Sequence, residues 1–171
     1  ALKYQANPDV MLYGLHSQGY RSGGFNGRWG SVNSATIPYD PETVTNTEFG
    51  IKTTLRDNRV HFNMTIFSMD YEDKQIDVDV VDPTAALGRS TVTNNVADAT
   101  FRGVELELHA LVSENFSIDA NLGTLSAKFG EFFADFTGSG VDADYSYLEP
   151  LRAPKLTWTI GGTYNLQGVS K

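Results

Sequence analysis

The chain has 171 residues, no cysteine and a formal net charge of −8 at pH 7. The lack of cysteine excludes a disulfide framework and a thiolate metal site. The acidic balance argues against a nucleic-acid binder, which usually carries a basic patch. No window holds 18 consecutive apolar residues, which excludes a membrane helix, and the first ten residues lack the apolar core of a signal peptide. A membrane-spanning strand is still allowed, because it needs only about 9–11 residues and half of them are polar.

Six segments alternate between apolar and polar residues, which is the pattern of a β-strand with two different faces. The fourth segment also contains good helix formers, but its apolar residues fall at every second position, which favours a strand. In the first segment Met11, Tyr13 and Leu15 are predicted to share one face. In chain order, the six segments are DVMLYGLHSQGY (9–20), NTEFGIKTTLRD (46–57), RVHFNMTIF (59–67), GVELELHALV (103–112), FSIDANLGTL (116–125) and LTWTIGGTYNL (156–166).

The connections between these segments alternate in length. Residues 57–58 and 113–115 form short turns, whereas 21–45, 80–95 and 130–153 are long. In an antiparallel meander this alternation places every short turn at one end and every long loop at the other. Such sorting is typical of an outer-membrane barrel, whereas a soluble sandwich does not require it. The pattern predicts an all-β chain that forms an antiparallel, up-and-down transmembrane β-barrel segment.

In this barrel the apolar faces meet lipid and the polar faces line a wet lumen. Six strands leave two edges, and each unsatisfied backbone group in lipid costs several kcal/mol, so residues 1–171 are predicted to be one piece of a longer barrel. The residues predicted to face lipid are Phe49, Ile51, Phe62, Met64, Leu106, Leu108, Ile118, Trp158 and Ile160. Those predicted to face the lumen are Glu48, Lys52, Arg56, His61, Glu105, Glu107 and His109.

Four blocks of sequence carry a resemblance to a known family. Single motifs in them are weak, but the blocks occur in the family's order and cover nearly the whole chain. The chain thereby resembles the second half of the barrel of TonB-dependent outer-membrane receptors. The blocks are YGLHSQGYRSGGFNGR (13–28), PYDPETVTNTEFGIKTTLRDNRVHFNMTIFSMDYEDKQI (38–76), NVADATFRGVELELHALVSENFSIDANLGTLSAKFGEF (95–132) and APKLTWTIGGTYNL (153–166).

The resemblance implies a barrel of 22 strands in a Gram-negative outer membrane, with a globular plug inside. It implies import of a scarce ligand such as a ferric siderophore, with TonB acting through a plug that this chain lacks. Outer-membrane lipid and lipopolysaccharide are the other implied partners, and no cofactor is expected. Two rivals are a soluble all-β binding or adhesion domain and an outer-membrane enzyme barrel. No nucleophile with a base stands out, so an enzyme is not predicted.

The stretch after the first strand is a candidate ligand site at the outer rim. Arg21 and Arg28 would attract an anionic ligand, and Phe25 and Trp29 would stack on it. The alternative is an interfacial aromatic girdle that includes Tyr20, with the arginines meeting lipopolysaccharide. The girdle is favoured, because aromatic belts are general in outer-membrane barrels.

Two further groups of residues suggest metal sites. The stretch DYEDKQIDVDVVD (70–82) holds six acids, but it lacks the glycine and final glutamate of an EF-hand loop. A solvated strand extension is therefore favoured over a calcium site. His16, His61 and His109 lie on separate strands and are each predicted on the lumen face. A metal site needs two or three of them to converge, and scattered polar residues are favoured, so no metal is predicted.

Overall fold

The chain folds around one antiparallel sheet. The computed structural model describes residues 1–26, 32–137 and 141–166, without the side chains of 33 and 34. A single helical turn, α1 (Val32–Ala35), lies between the short strands of the first long loop. The strands are β1 (Leu2–Asn7), β2 (Val10–Arg21), β3 (Gly24–Phe25), β4 (Pro38–Tyr39), β5 (Glu42–Leu55), β6 (Val60–Val81), β7 (Arg89–Ser113), β8 (Phe116–Ala134), β9 (Ala143–Asp144) and β10 (Leu156–Tyr164).

The main sheet has the order β1-β2-β5-β6-β7-β8-β10, which follows the chain. The short strand β9 pairs with β8, and β3 and β4 form a separate two-stranded sheet. Within the described residues β1 and β10 each pair with one strand, so the main sheet is open at both edges. The predicted all-β, up-and-down antiparallel meander is therefore confirmed. No helix in the described ranges is long and apolar enough to cross a membrane.

The connections sort by length as predicted. Residues 8–9, 56–59 and 114–115 form short turns at one end of the sheet, here called the turn end. The longer connections 22–41, 82–88 and 135–155 lie at the opposite end, the loop end.

Several predicted bounds were wrong. The turn predicted at 57–58 spans four residues, since Arg56, Asp57 and Asn58 all adopt positive φ angles of 56°, 54° and 65°. The connection predicted at 80–95 is shorter, because β6 and β7 stay paired as far as Val81 and Arg89. The strand β1 was not predicted.

One row of directly paired residues crosses all seven strands of the main sheet with apolar or aromatic side chains. The rows on either side, on the same face, are also mainly apolar. Phe49 is 65% exposed, Trp158 67% and Ile160 70%. A soluble domain needs a second layer over such a face, and the described residues supply none. The central row consists of Tyr4, Leu12, Ile51, Met64, Leu106, Leu122 and Trp158.

The buried core lies at the loop end instead. The strands β6 and β7 are 22 and 25 residues long, well beyond the 9–11 or so that cross a membrane. A bulge at 72–73, where Asp73 has a φ of 53°, marks where their projecting part begins. Within that part Val78 and Val92 form a directly paired, buried contact. The projecting hairpin thus gives the long loops a surface to pack on.

Candidate functional site

The first long loop is fastened to the projecting hairpin by three amide side chains. Gln75 is buried, and its Nε2 donates to the carbonyls of Ser22, at 3.1 Å, and Asp40, at 3.0 Å. Asn95 accepts from the backbone N–H of Asp40 at 2.7 Å and donates to its carbonyl at 3.0 Å. The two ends of the loop are therefore held together and against β6 and β7.

The third amide, Asn26, holds the middle of the loop. Its side chain is 4% exposed. Its Oδ1 accepts from the backbone N–H of Thr93 at 2.6 Å, and its Nδ2 donates to the carbonyls of Thr93 and Ile37, both at 3.1 Å. Asn26 thus pairs with β7 as a strand residue would. These amides could not be predicted from the sequence, because their partners lie up to 67 residues away.

The glycines before Phe25 allow the loop to fold back on itself. A Cβ at Gly23 would lie 2.3 Å from the carbonyl oxygen of Tyr39, and one at Gly24 would lie 2.9 Å from the hydroxyl of the same residue. At Gly23 only glycine permits this close approach to the backbone of β4, whereas at Gly24 the nearest atom is the tip of a side chain that can shift. The strand β2 therefore ends in a glycine-rich stretch because that stretch begins a second, smaller sheet.

Two of the four predicted ligand-site residues can be placed. Arg21 is the last residue of β2 and pairs with Glu42. Phe25 is 68% exposed on β3, opposite Pro38. Arg28 and Trp29 lie outside the described residues. The structure thus puts one exposed ring on a fastened hairpin at the loop end.

The third long loop is held by a cluster of aromatic rings that the sequence did not predict. Phe132 is 4% exposed, and its ring centroid lies 4.8 Å from that of Phe129 and 5.9 Å from that of Tyr145. Next to Tyr145, Asp144 accepts hydrogen bonds from the Ser146 hydroxyl and backbone N–H, which lower the pKa of that carboxyl. The cluster anchors the loop as the amides anchor the first one.

The acidic stretch 70–82 lies mainly on β6, as the favoured strand extension requires. Asp77 accepts from the hydroxyl of Thr93 at 2.7 Å, and Asp79 from that of Thr91 at 2.6 Å. These partners lie directly opposite on β7. The two carboxylates therefore bond across the hairpin to hydroxyl groups.

Opposite the apolar face, the polar side chains form a groove of about 350 Å³. Asn63 donates to Glu107 across the hairpin at 3.1 Å, and Asn46 donates to Glu48 at 2.6 Å. The groove lining consists of Tyr13, Asn46, Glu48, Lys52, Asn63, Thr65, Phe67, Met69, Glu105 and Glu107. Four residues predicted to face the lumen thus share this groove.

The register fixes the face of most predicted residues. The nine residues predicted to face lipid all lie on the apolar face, and six of the seven predicted lumen residues lie on the polar face. Arg56 is the exception among the predicted lumen residues, because it lies in the turn after β5 and therefore on neither face of the strand. Met11, Tyr13 and Leu15 share one face as predicted, but they were taken as the apolar face of their strand, and this was wrong. They lie on the polar face, whereas Leu12 lies in the apolar row.

The expectation that all three histidines share the lumen face was wrong. His16 pairs with Thr47 on the same side of the sheet as the apolar rows, where its Nδ1 lies 3.0 Å from the threonine hydroxyl. His61 and His109 lie directly opposite each other on the polar face. Among the described residues no three histidines or acids form a group that could itself hold a metal ion.

An open meander with one exposed apolar face, one polar face and long loops at one end is a segment of a transmembrane β-barrel. The chain belongs to the family described as TonB dependent receptor-like, beta-barrel, whose model matches residues 1–170. It is thus part of an outer-membrane barrel of Gram-negative bacteria.

Solved structures of siderophore receptors share this fold. The siderophore receptor PiuA from Acinetobacter baumannii is 23% identical, with a TM-score of 0.67, over 95% of this chain and 22% of that one. The ferric yersiniabactin uptake receptor FyuA from Yersinia pestis is 19% identical, with a TM-score of 0.66, over 98% and 22%. The pyoverdine receptor FpvA from Pseudomonas aeruginosa is 16% identical, with a TM-score of 0.62, over 97% and 22%. The chain therefore spans about a fifth of the length of these receptors.

Proposed function

We propose that the chain forms part of the wall and outer mouth of an importer for a ferric siderophore or a similar scarce ligand. The family and its siderophore-receptor neighbours support the transport class. Energy reaches the receptor from TonB through a plug domain. The observation that carries the proposal is the contrast between an open apolar face and a groove of charged and amide side chains on the same strands.

In this proposal the apolar face meets lipid and the polar face lines the lumen. The alternation along β5, β8, β10 and the parts of β6 and β7 that cross the apolar rows supports the assignment, because lipid offers no partner for a charge, whereas water or a plug solvates one. Arg102 and Ser126 pair in the first polar row beyond the apolar rows, on the loop side. A membrane boundary at this row places the projecting hairpin outside the cell, where lipopolysaccharide is the lipid partner.

Ligand capture is assigned to the loop end, with Arg21, Phe25, Arg28 and Trp29 as candidate contacts. The fastening of the first loop supports this, because an exposed ring on a rigid hairpin loses little entropy when it stacks on a ligand. The rival girdle function is favoured for Tyr20, which is 79% exposed and lies on the side of the apolar rows. Tyr20 and Phe25 therefore take separate roles in this proposal.

Uptake of ⁵⁵Fe by iron-starved cells tests the function. A strain without the full-length receptor gene is compared with its complemented parent, using ferric catecholate, hydroxamate and mixed-ligand siderophores one at a time. At least one complex should enter only with the gene, and deletion of TonB should abolish that uptake. Equal uptake of every complex with and without the gene would contradict the proposal.

A matched pair of variants then tests the site. Phe25→Ala should lower the affinity for the transported complex without changing the amount of receptor in the membrane. Tyr20→Ala, at an exposed ring on the apolar side of β2, should leave that affinity unchanged. If Tyr20→Ala lowers the affinity and Phe25→Ala does not, Phe25 belongs to the aromatic girdle and the ligand site lies elsewhere.

A further inference from the structure

A groove lies on the apolar face of the sheet, where the apolar row nearest the loop end meets the first polar row. Its volume is about 560 Å³. The floor of the groove is apolar, because Phe49, Ile66 and Val104 pair directly across β5, β6 and β7. Phe49 is 65% exposed and Ile66 49%. The groove is therefore an open apolar surface bordered by polar side chains.

The rim of the groove on the loop side carries hydroxyl groups and a guanidinium. The Nε of Arg102 donates to the hydroxyl of Ser68 at 3.3 Å. This bond orients the guanidinium, and among the described residues no side chain or carbonyl accepts from its two Nη atoms. The guanidinium can therefore bind a further acceptor. The rim consists of Thr47, Ser68, Arg102 and Ser126, which pair directly in one row.

The charges around the rim favour an anion. Lys155 also lines the groove, but its Nζ lies 2.6 Å from the Oε1 of Glu149. Lys128 lies on the same face in the next row outward, diagonal to Arg102, and neither cation has a carboxylate partner in the part of the chain that the structure describes. Asp70 is the acid of that outer row, and its carboxylate already accepts hydrogen bonds from two hydroxyl groups. Two unpaired cations thus lie near one carboxylate that is already hydrogen-bonded.

We propose, building on the proposed function, that this groove binds one molecule of lipopolysaccharide through its lipid A portion. An acyl chain lies on the apolar floor, and a phosphate monoester accepts hydrogen bonds from the two Nη atoms of Arg102, since a guanidinium matches two phosphate oxygens. Floor and rim are neighbouring rows on one face, about 7 Å apart along the strands. Chain and headgroup follow one another in the same order in this lipid, and the hydroxyl groups of the rim fit the amide and hydroxyl groups of its glucosamine units.

Native mass spectrometry of the full-length receptor tests the site. The receptor is refolded in detergent free of lipopolysaccharide, and its folding is checked by heat-modifiable migration on gels. The probe is hexa-acyl lipid A with both phosphates, compared with dephosphorylated lipid A and with phosphatidylglycerol at equal concentrations. Lipid A with its phosphates should bind most tightly. Equal binding of the dephosphorylated form would overturn the phosphate contact, and equal binding of phosphatidylglycerol would overturn the choice of lipid A.

Variants of the groove locate the binding. Arg102→Gln should weaken binding of lipid A roughly tenfold, the usual effect of losing a charge-assisted contact, and Arg102→Lys should weaken it less, because it keeps the charge but not the planar fork. Val104→Trp should fill the floor and weaken binding without a change of charge. Lipid that binds elsewhere on the receptor is common to all variants, so the differences from the wild type carry the result.

The control is Arg89→Gln, which removes the same charge from an exposed position on the projecting hairpin, away from the groove. It should leave the affinity for lipid A unchanged. An affinity that stays unchanged in folded Arg102→Gln and Val104→Trp receptors would overturn the proposal. A loss in Arg89→Gln equal to that in Arg102→Gln would also overturn it, because binding would then follow the net charge and not the groove.

Uptake of ⁵⁵Fe separates this proposal from the proposed function. Binding of lipid A that depends on Arg102, in a receptor that imports none of the ferric siderophores, would contradict the transport function alone. Import of a siderophore by a receptor whose lipid A binding does not depend on Arg102 would contradict the lipid site alone.

Discussion

Tyr13 and Thr65 lie on strands that are not neighbours, yet their hydroxyl oxygens are 2.9 Å apart. The strand between them contributes Gly50 at this level, which pairs with both residues. A Cβ at Gly50 would lie 2.3 Å from the tyrosine ring. The missing side chain therefore lets one hydrogen bond span three strands on the polar face.

The hydrogen bond between Tyr13 and Thr65 predicts what happens when residue 50 gains a side chain. Gly50→Ala should push the Tyr13 ring aside and break the bond to Thr65, which costs about 0.5–1.5 kcal/mol of unfolding free energy. Urea unfolding of the full-length receptor in lipid bilayers measures it. Thr65→Val should cost a similar amount, and the double variant should cost clearly less than the sum. Gly14→Ala is the control, because Gly14 has described strands on both sides and the nearest atom to its Cβ position lies 3.4 Å away, an ordinary contact. Strictly additive costs for Gly50→Ala and Thr65→Val would contradict the hydrogen bond.

The apolar face predicts a gradient of tolerance to charge. Leu106 lies in the central apolar row, whereas Thr100 lies on the same face in a row that also holds Asp70 and Lys128. Leu106→Arg should cost roughly 2–4 kcal/mol if the row is near mid-membrane, and Thr100→Arg about 0–1 kcal/mol near the interface. Folding titrations of the full-length receptor in bilayers measure both.

Glu105→Arg is the matched control for the face, because neighbouring residues of a strand point to opposite sides. It should cost far less than Leu106→Arg. If Leu106→Arg and Thr100→Arg lower the unfolding free energy equally, contact with lipid is not the cause of the destabilisation. A cost for Glu105→Arg as large as that for Leu106→Arg would contradict the assignment of the two faces.

The long connections lie at one end of the sheet and the short turns at the other, which predicts that only the long connections are exposed on the surface of intact cells. Leu87 is 91% exposed and Leu151 93%, each in a loop at the loop end. Leu87→Cys and Leu151→Cys in the full-length receptor should label with an impermeant maleimide on intact cells, above the level of the parent receptor. Asn58→Cys, in the turn 56–59, should label only after the outer membrane is opened. The opposite pattern would invert the topology.

The amide contacts predict how firmly the first loop is held. Asn26→Ala leaves the Thr93 N–H without its partner, which costs about 1–3 kcal/mol and should loosen loop 22–41 from β7. Limited proteolysis of intact cells should then cut this loop faster. Asn94→Ala, at an exposed position next to the same contact, is the control. Equal cleavage of both variants would show that Asn26 does not hold the loop.

Alternation of apolar and polar residues predicted a strand correctly where one face of the strand is apolar and the other polar, since a period of two then identifies both the strand and its faces. The prediction failed where the two faces do not differ in polarity. The projecting parts of β6 and β7 lie beyond the apolar rows and contain a bulge, which shifts the alternation. The short strand β1 was missed although its six residues alternate, with Leu2, Tyr4 and Ala6 on one face and Lys3, Gln5 and Asn7 on the other.

Candidate sites were harder to predict, because they depend on register across long loops. Nothing in the sequence distinguishes Asn26 or Gln75 from an exposed amide, since their partners are set by how the first loop packs. The pairing of His61 with His109 depends on the register of a hairpin whose strands and loop separate the two residues by 48 positions. Arg56 was predicted to face the lumen because the turn was predicted to span only residues 57–58, whereas it spans 56–59.

The open edges of the sheet have a practical consequence. Every residue of β1 and of β10 is exposed, and the outer side of each strand carries free backbone donors and acceptors. Such edges pair readily with other extended chains. A polypeptide limited to these 171 residues is therefore expected to polymerise edge to edge into ribbons when it is overproduced, and to be recovered from inclusion bodies. Monodisperse material in detergent will require the neighbouring barrel strands to be expressed with it.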